Sequence, residues 1–425
     1  MKLTSYWLDT APPFTAAAQA PPQGDADVVV VGAGFTGLSA ALALARKGAR
    51  VVVLEAGRIV NAASGRNGGM CNNGFAQDFH GLSGELGLER AKLIYQAFDA
   101  AVSKVEAVVV EEGIDCHFKR VGKLKLAAKP QHYDKLARSQ ELMARHVDPD
   151  TRMLPRSEMR SEIGSDRYFG GLIFEKSAGM HMGMFGHGLA TAAARRGAAI
   201  HENSPVIGLR RLAGQAHEVR TPHGAVRARQ VLLATGTSPI GPFGWIRRRI
   251  VPVGAFLIAT EPLPVELLDR LTPRRRMTTD TKNFVNYFRV TPDERLLFGG
   301  RARFAVSSSV SDAKSGAILR RNMIGVFPEL ADVRIDYCWG GMVDMTRDRL
   351  PRAGERDGVF YSLGYSGHGT QMSTYMGAIM AEVLDGRAEL NPWRGFDWPA
   401  IPGHFGRPWF LPLVGAYYRY RDLVS

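Results

Sequence analysis

The amino-acid sequence reads as an α/β protein, α+β overall, in which a Rossmann-type dinucleotide-binding domain is joined to a second domain built on an antiparallel sheet. Three observations point there. Residues 27–55, DVVVVGAGFTGLSAALALARKGARVVVLE, form one compact strand–turn–helix–strand unit. Residues 250–303 change to alternating strands, VPVGAFLIAT, NFVNYFRV and RLLFGGRARF. Residues 359–370, VFYSLGYSGHGT, run from a strand through a glycine loop into a helix expected over about 371–384, which Asp385-Gly386 ends.

In the first unit the valines at 28–31 make a continuous apolar run, as in a strand covered on both faces. Gly32, Gly34 and Gly37 then give G-x-G-x-x-G. The first permits the tight turn, the second lets a pyrophosphate approach the backbone, and the third lets helix and strand pack closely. Phe35 and Thr36 open the helix, whose N-terminus offers N–H groups and a positive dipole end to phosphate. Leu38, Ala41, Leu42 and Ala45 repeat at helical spacing, and Lys47-Gly48 stops it. The second strand, 51–54, ends at Glu55, 18 residues after Gly37, with Ala56 following. An acid at that place accepts hydrogen bonds from ribose hydroxyls and disfavours a 2′-phosphate, which argues against NADP. The motif does not separate NAD from FAD.

Residues 1–24 hold two proline pairs among alanines and read as an extended lead-in on the surface, anchored by Tyr6 and Trp7. After Glu55 the loop Ser64, Gly65, Arg66, Asn67, Gly68, Gly69, Met70 is small enough to lie against a flat ligand. Arg66 can neutralise phosphate and Asn67 can bond a ring edge, or the loop is simply flexible. Residues 85–147 read as helical and residues 187–196 as a further helix, with short strands at 198–201 and 206–209. Val206 can present its backbone to an adenine edge or be sheet core. Residues 231–236 form a buried strand running into the turn Ala234, Thr235, Gly236, which allows close backbone approach. Pro292-Asp293 turns the last hairpin of the antiparallel region. Residues 391–425 carry three tryptophans and several other aromatics and are expected to dock on the body, with a membrane-surface or partner-binding segment as the alternative.

Composition bounds the function. The chain has 425 residues, enough for two folding units, and its apolar fraction of 45% supports a large core. No apolar stretch is long enough to span a membrane, and no compact signal core opens the chain, so a cytoplasmic protein is expected. Cys71, Cys116 and Cys338 form neither a CxxC pair nor a zinc spacing, as in reduced thiols. The net charge of +13 comes from short arginine groups, not from a basic tail with interleaved aromatics, which argues against nucleic acid. It fits a solvated basic surface, or steering of an anionic substrate.

The βαβ unit, the SGRNGG loop, the LLATG turn and the GYSGHG turn-to-helix, in this order over roughly residues 25–390, resemble the D-amino-acid oxidase superfamily. RLLFGG, WGG and DRLP resemble most its gamma-glutamylputrescine oxidoreductase branch, with iminodiacetate, glycine and sarcosine oxidases as relatives. The resemblance implies FAD between two domains. Residues 25–85, 150–243 and 334–390 would make the FAD-binding domain, and 86–149 and 244–333 the substrate domain. Gly32, Gly34, Phe35, Thr36, Gly37, Glu55, Ala56 and Val206 would serve the ADP half, with Ala234, Thr235 and Gly236. Ser64 to Met70 would flank pyrophosphate and flavin, and Gly364, Gly367, His368, Gly369 and Thr370 would lie at the flavin edge. Substrate contacts would fall among Tyr287, Arg289, Arg301, Asp344 and His368, each of which has a purely structural alternative.

The implied activity is oxidation of a primary or secondary amine bearing a carboxylate. Hydride passes to flavin, the imine hydrolyses, and oxygen is reduced to hydrogen peroxide. A dehydrogenase serving a quinone, or a non-catalytic FAD subunit, are the alternatives. Three positions depart from the relatives. Val343 stands where glycine oxidase has its carboxylate-binding arginine, Gln371 where sarcosine oxidase has a lysine, and Gly341 near the sarcosine oxidase flavin-tethering cysteine. Non-covalent FAD follows, and Arg301 is the expected carboxylate anchor, with Arg289 in reserve. No lysine follows Lys314, so an oxygen-assisting lysine has no counterpart in that half.

Overall fold

The computed structural model describes residues 1–424. The expected βαβ unit forms as β1 (Gly24–Val31), α2 (Phe35–Arg46) and β2 (Val51–Leu54), after a short helix α1 (Tyr6–Thr10). β1 pairs in parallel with β2 on one side and with β12 (Gly224–Leu233) on the other. The sheet continues through β9 (Ala199–His201) beyond β2. Beyond β12 lie β11 (His217–Thr221) and β10 (Gly208–Arg211), both antiparallel. β19 (Val359–Leu363) also joins β12 in parallel and carries β18 (Arg352–Arg356) at its side. Val29, Val30 and Leu232 are fully buried, as expected of strands covered on both faces.

One face of this sheet is covered by α2, α6 (Met182–Arg195) and α10 (Gly369–Leu384), with α4 (Leu88–Glu112) packed on α10. The packing is close. A Cβ on Gly37 would lie 1.9 Å from the Gly32 carbonyl, and one on Gly377 would lie 2.4 Å from the Thr36 carbonyl. Only glycine lets α2 rest on the turn and α10 rest on α2.

The second sheet has eight strands in the order β17-β13-β16-β15-β14-β5-β7-β6. These are β17 (Ile335–Met345), β13 (Val251–Thr260), β16 (Leu296–Gly300), β15 (Asn286–Val290), β14 (Met277–Asp280), β5 (Lys123–Leu126), β7 (Gly171–Phe174) and β6 (Arg152–Leu154). α9 (Ser309–Val326) and the short α8 (Val265–Leu271) pack on its outer face around Phe256, Phe288, Phe298 and Leu319. A small sheet of β3 (Met70–Cys71), β8 (Ala178–Gly179) and β4 (Lys119–Arg120) bridges the two halves. α3 (Phe79–Leu86) packs on α4 and α5 (Pro130–His146), α5 also meets β7 and β6, and the short α7 (Gly244–Arg247) precedes β13.

Sheet membership crosses the expected boundaries. β17 was expected with the dinucleotide sheet but pairs along its length with β13. β6 and β7 likewise join the second sheet through β5, whereas α4 packs on the dinucleotide side. The run 85–147 is not all helix, because β4 and β5 lie between α4 and α5. Val206 sits in a loop, since β10 begins only at Gly208.

The N-terminal segment is not a surface lead-in throughout. Trp7 is 0% exposed and Tyr6 2%. Ser5 Oγ donates to the Gly65 carbonyl at 2.6 Å and Trp7 Nε1 to the Asn67 carbonyl at 2.7 Å, so α1 underlies the SGRNGG loop. Tyr6 OH donates to Asp293 at 2.6 Å, and Lys2 bridges to Tyr337. The tail docks on the body. Its helix α11 (Leu411–Val424) places Asp422 to accept from the Asn283 and Phe284 backbone N–H groups at 2.8 and 2.9 Å, and Tyr418 stacks on Phe304. Among the described residues no helix is long and apolar enough to cross a membrane.

Candidate active site

A cavity of about 1740 Å³ runs from the end of β1, past the SGRNGG loop, to the inner face of the second sheet. At its nucleotide end Gly32 takes φ 104°, and a Cβ there would lie 2.6 Å from the Ala234 carbonyl. The Ser64 hydroxyl caps α2 by accepting the Phe35 N–H at 3.1 Å. A Cβ on Gly34 would lie 2.9 Å from that hydroxyl. Glu55 accepts the Ala33 N–H through Oε2 at 2.7 Å and the Gly57 N–H through Oε1 at 3.0 Å. The carboxylate is thus held at the end of β2, facing the cavity with lone pairs to spare. Ala56, Val206, Ala234, Thr235 and Gly236 line the same end. Gly37 does not line the cavity; it is the packing glycine.

Arg66 lies in the middle, bonded to the Asn61 and Gly340 carbonyls at 2.7 and 3.2 Å, with no carboxylate of the described residues within ion-pair distance. Burial holds its pKa below the usual arginine value. A half-buried, unpaired guanidinium beside a helix N-terminus suits a pyrophosphate. Asn67 differs from expectation. Its amide donates to the Ala63 and Ser64 carbonyls, and its Oδ1 accepts from the Gly69 N–H and the Thr370 hydroxyl. It staples the loop to the start of α10. Gly68 and Met70 line the cavity, and Gly69 lies behind it.

Thr36 Oγ1 meets Tyr365 OH at 2.8 Å, which joins α2 to the second glycine turn. Gly364, at φ 79°, does not line the cavity, and its N–H donates to Asp344 Oδ2 at 2.6 Å. The Asp344 carboxyl therefore receives the N–H groups of this turn. Burial pushes its pKa up to about 6 against those hydrogen bonds. Its place is structural as well as cavity-lining. Gly367, His368, Gly369 and Thr370 do face the cavity, at the N-terminus of α10. Burial, and then the charge of Lys123, push His368 down to about 3, so the ring is neutral, and its Nδ1 has no partner. Asn72 Oδ1, Gln77 Oε1 and Gln371 Oε1 are also buried without partners, and all four residues line the cavity. Buried polar atoms without partners that converge on one cavity suit a polar ligand.

On the opposite wall Tyr287 packs on Gly68, and a Cβ there would lie 2.9 Å from its ring. Arg301, just past β16, reaches the Asn283 carbonyl at 3.2 Å and lies over Phe304, with no carboxylate of the described residues within ion-pair distance. Arg289 is corrected. It is buried behind the cavity, where it donates to the Gly69 and Met180 carbonyls, and burial lowers its pKa to about 10. It supports the loop and does not line the cavity.

Cys338 also points away. Its thiol donates to the Asp312 carbonyl at 3.2 Å, and burial pushes its pKa up to about 12. Gly341 packs on Arg66. The cavity-wall residues that were missed include Asn72 and Gln77, and Lys123 and Lys125 of β5. For the lysines the signal was the alternation K-L-K-L, whose period of two marks a strand. Among the described residues no cluster could hold a metal ion.

The glycine cradle without room for side chains, the pinned acid, the unpaired Arg66 and the orphaned polar atoms fit a flavin dinucleotide along the cavity. A family model described as "FAD dependent oxidoreductase" matches residues 27–383. The chain is 34% identical over 412 residues to a probable oxidoreductase, OrdL, of Haemophilus influenzae, covering 94% of this chain and 92% of that protein. It is 32% identical over 406 residues to the gamma-glutamylputrescine oxidoreductase of Escherichia coli, covering 94% and 93%. Among solved structures, glycine oxidase from Geobacillus kaustophilus superposes with a TM-score of 0.71 at 21% identity, covering 88% of this chain and all of that one.

Proposed function

The chain belongs to the FAD dependent oxidoreductase (DAO) family, and we propose that within it this enzyme is an oxidase of a primary or secondary amine that bears a carboxylate. An FAD-dependent oxidoreductase of the amine or amino-acid oxidase type is common ground with the relatives. The observation that carries the finer reading is the cation Arg301. It lies beside Tyr287 on the wall facing Gly68, inside the cavity and, among the described residues, without a carboxylate within ion-pair distance.

Bound FAD supplies the two-electron acceptor for the carbon that carries the amine. The chain's residues do the rest. Gly32, Gly34, the α2 N-terminus, Arg66 and Glu55 would hold the cofactor without a covalent bond. Tyr287 packs on Gly68 and closes the sheet wall against the loop. Neutral His368 offers an unpartnered ring nitrogen to orient the amine, and its lowered pKa keeps a positive charge away from the carbon to be oxidised. The α10 N-terminus favours negative charge on whatever it faces. Arg301 takes the substrate carboxylate. Oxygen is the proposed electron acceptor and hydrogen peroxide the product. Three free, buried cysteines agree with a reducing compartment, the cytoplasm.

A second reading keeps the flavin chemistry and replaces oxygen by a quinone. Trp409, Leu413, Tyr417 and Tyr420 favour it, since these large apolar and aromatic side chains of the tail are exposed. One experiment separates the two. The holoenzyme is mixed without oxygen with N-methylglycine, iminodiacetate and gamma-glutamylputrescine, and the flavin colour is followed before and after air. Bleaching followed by rapid recovery with peroxide supports the oxidase. Bleaching with slow recovery in air supports the quinone reading, and no bleaching with any carboxylated amine removes both.

A further inference from the structure

α11 meets the body through one face and turns an apolar one to solvent. The inward face is Leu411, Gly415, Tyr418 and Asp422, at i, i+4, i+7 and i+11. Leu411 and Gly415 are buried, and a Cβ on Gly415 would lie 3.2 Å from Phe304. Tyr418 stacks on that ring, and Asp422 accepts the Asn283 and Phe284 N–H groups. The outward face is Leu413, Ala416, Tyr417 and Tyr420, at i, i+3, i+4 and i+7, and all four are exposed. A helix packed on a body ordinarily gives its polar residues to water, and this one gives water a leucine, an alanine and two tyrosines.

The segment before the helix continues the pattern. Among the described residues, the exposed phenylalanine, tryptophan and tyrosine side chains are Phe405, Trp409, Tyr417 and Tyr420. All four fall between residues 405 and 420. Single apolar side chains are ordinary on a surface, whereas a contiguous group marks an interaction site.

Charge decides what fits it. Helical spacing puts Arg419 and Arg421 on the two borders of the outward face. Arg407 stands between Phe405 and Trp409, and Arg248 lies 5.4 Å over the Phe405 ring. Between residues 398 and 422 the one acidic side chain is Asp422, which is turned to the body. A second copy docking by this face would set arginine against arginine, because a two-fold contact brings a patch onto itself. An anionic bilayer offers phosphate to the arginines and hydrocarbon to Leu413. Its interfacial layer suits tryptophan and tyrosine, which are apolar rings with one polar atom.

We propose that residues 405–420 form a docking face for a bilayer that contains anionic phospholipid. Gly406, Arg407, Pro408, Arg421 and Asp422 line the cavity, so a bilayer on this face lies next to the cavity. The contact is peripheral, through side chains and not through a spanning helix. It goes beyond the proposed function and depends neither on which amine is oxidised nor on what reoxidises the flavin.

The test is sedimentation of the holoenzyme with vesicles of phosphatidylcholine containing about one-quarter phosphatidylglycerol, against vesicles of phosphatidylcholine alone. Two variants are compared with wild type: Trp409→Ser, Leu413→Ser and Tyr420→Ser together, and Arg419→Gln alone. Retained flavin and thermal unfolding check that each is folded. Wild type should bind the anionic vesicles and not the neutral ones. The triple variant should bind at least about ten-fold more weakly, since three apolar side chains leave the interface. Arg419→Gln should bind about five-fold more weakly, the effect of one cation at an anionic surface. No sedimentation with anionic vesicles, equal sedimentation with both kinds, or wild-type binding by both variants overturns the proposal. A wild-type dimer that the triple variant loses, with no vesicle bound, assigns the face to a second copy and overturns it as well.

Discussion

Glu55→Gln tests the nucleotide end of the cavity with a change of one atom type. Both carboxylate oxygens already accept a backbone N–H, from Ala33 at 2.7 Å and from Gly57 at 3.0 Å. Glutamine has one acceptor oxygen, so its NH₂ must face one of those donors, and that N–H loses its partner. A charge-assisted hydrogen bond contributes about 1.5–3 kcal/mol, so the apoprotein itself should lose stability on that order, less whatever water recovers. The remaining lone pairs of Glu55 are the ones a ribose hydroxyl would use, and a neutral amide is a weaker acceptor for them. FAD affinity should therefore fall by a further amount of about 1–3 kcal/mol, or roughly 5- to 150-fold in Kd.

The assay strips the flavin, titrates FAD back by fluorescence quenching, and compares turnover per bound flavin at saturation. Thermal unfolding of the apoprotein reads the backbone part separately. Turnover per flavin should be nearly unchanged. An unaltered Kd would remove Glu55 from the ribose, and a collapse of turnover at full occupancy would place it at the chemistry.

Three further outcomes are expected. Acid precipitation should leave all flavin in the supernatant, because Gly341 carries no nucleophile and the Cys338 thiol is buried toward Asp312; yellow colour in the washed pellet would contradict this. Arg301→Met should lower kcat/KM about ten- to a hundred-fold for an N-substituted glycine and far less for a neutral amine of the same shape; equal loss for both would assign Arg301 to the fold. Asp344 sits above its ordinary pKa, at about 6, so its protonated form is the one the fold favours, and that contribution is present below about pH 4 and lost as pH rises through about 6. Asp344→Asn keeps an acceptor for the Gly364 N–H, so urea midpoints of the apoprotein should lose this slope between pH 4 and 7; an unchanged slope would show that another group produces it.

The dinucleotide unit was legible because every level agreed in one short stretch. Buried valines, three glycines, helical spacing and a terminal acid all demand the same local structure. The roles of Asn67, Asp344 and Arg289 were not legible, because each depends on partners far away in sequence. Asn67 reaches Thr370, Asp344 reaches Gly364, and Arg289 reaches Gly69. A residue type that can bind a ligand can equally bind a loop, and only the fold decides which.

The Lys123–Leu126 strand was hidden by its charge and brevity inside a run that otherwise reads as helix. Its alternation was present, but it spans only four residues between two long helical patterns. The pairing of β17 with β13 was not legible for a different reason. The glycines and polar residues of β17 suit a loop near a ligand, and its full pairing with β13 is a long-range contact that local pattern does not carry.

The position of α1 bears on how the protein is made. Tyr6 bonds Asp293 across 287 residues of chain, and Lys2 pairs with Tyr337 still later. At a synthesis rate of about 5–20 residues per second, Tyr6 waits roughly 15 to 60 seconds on the ribosome for its partner. Through that interval two large aromatic side chains lack their burial site, and the loop that α1 supports lacks its floor. The strand–turn–helix unit can fold early, yet a complete seat for the cofactor exists only after the second sheet has emerged. Flavin supply during translation should therefore change the yield of native enzyme little, while supply after release should govern it.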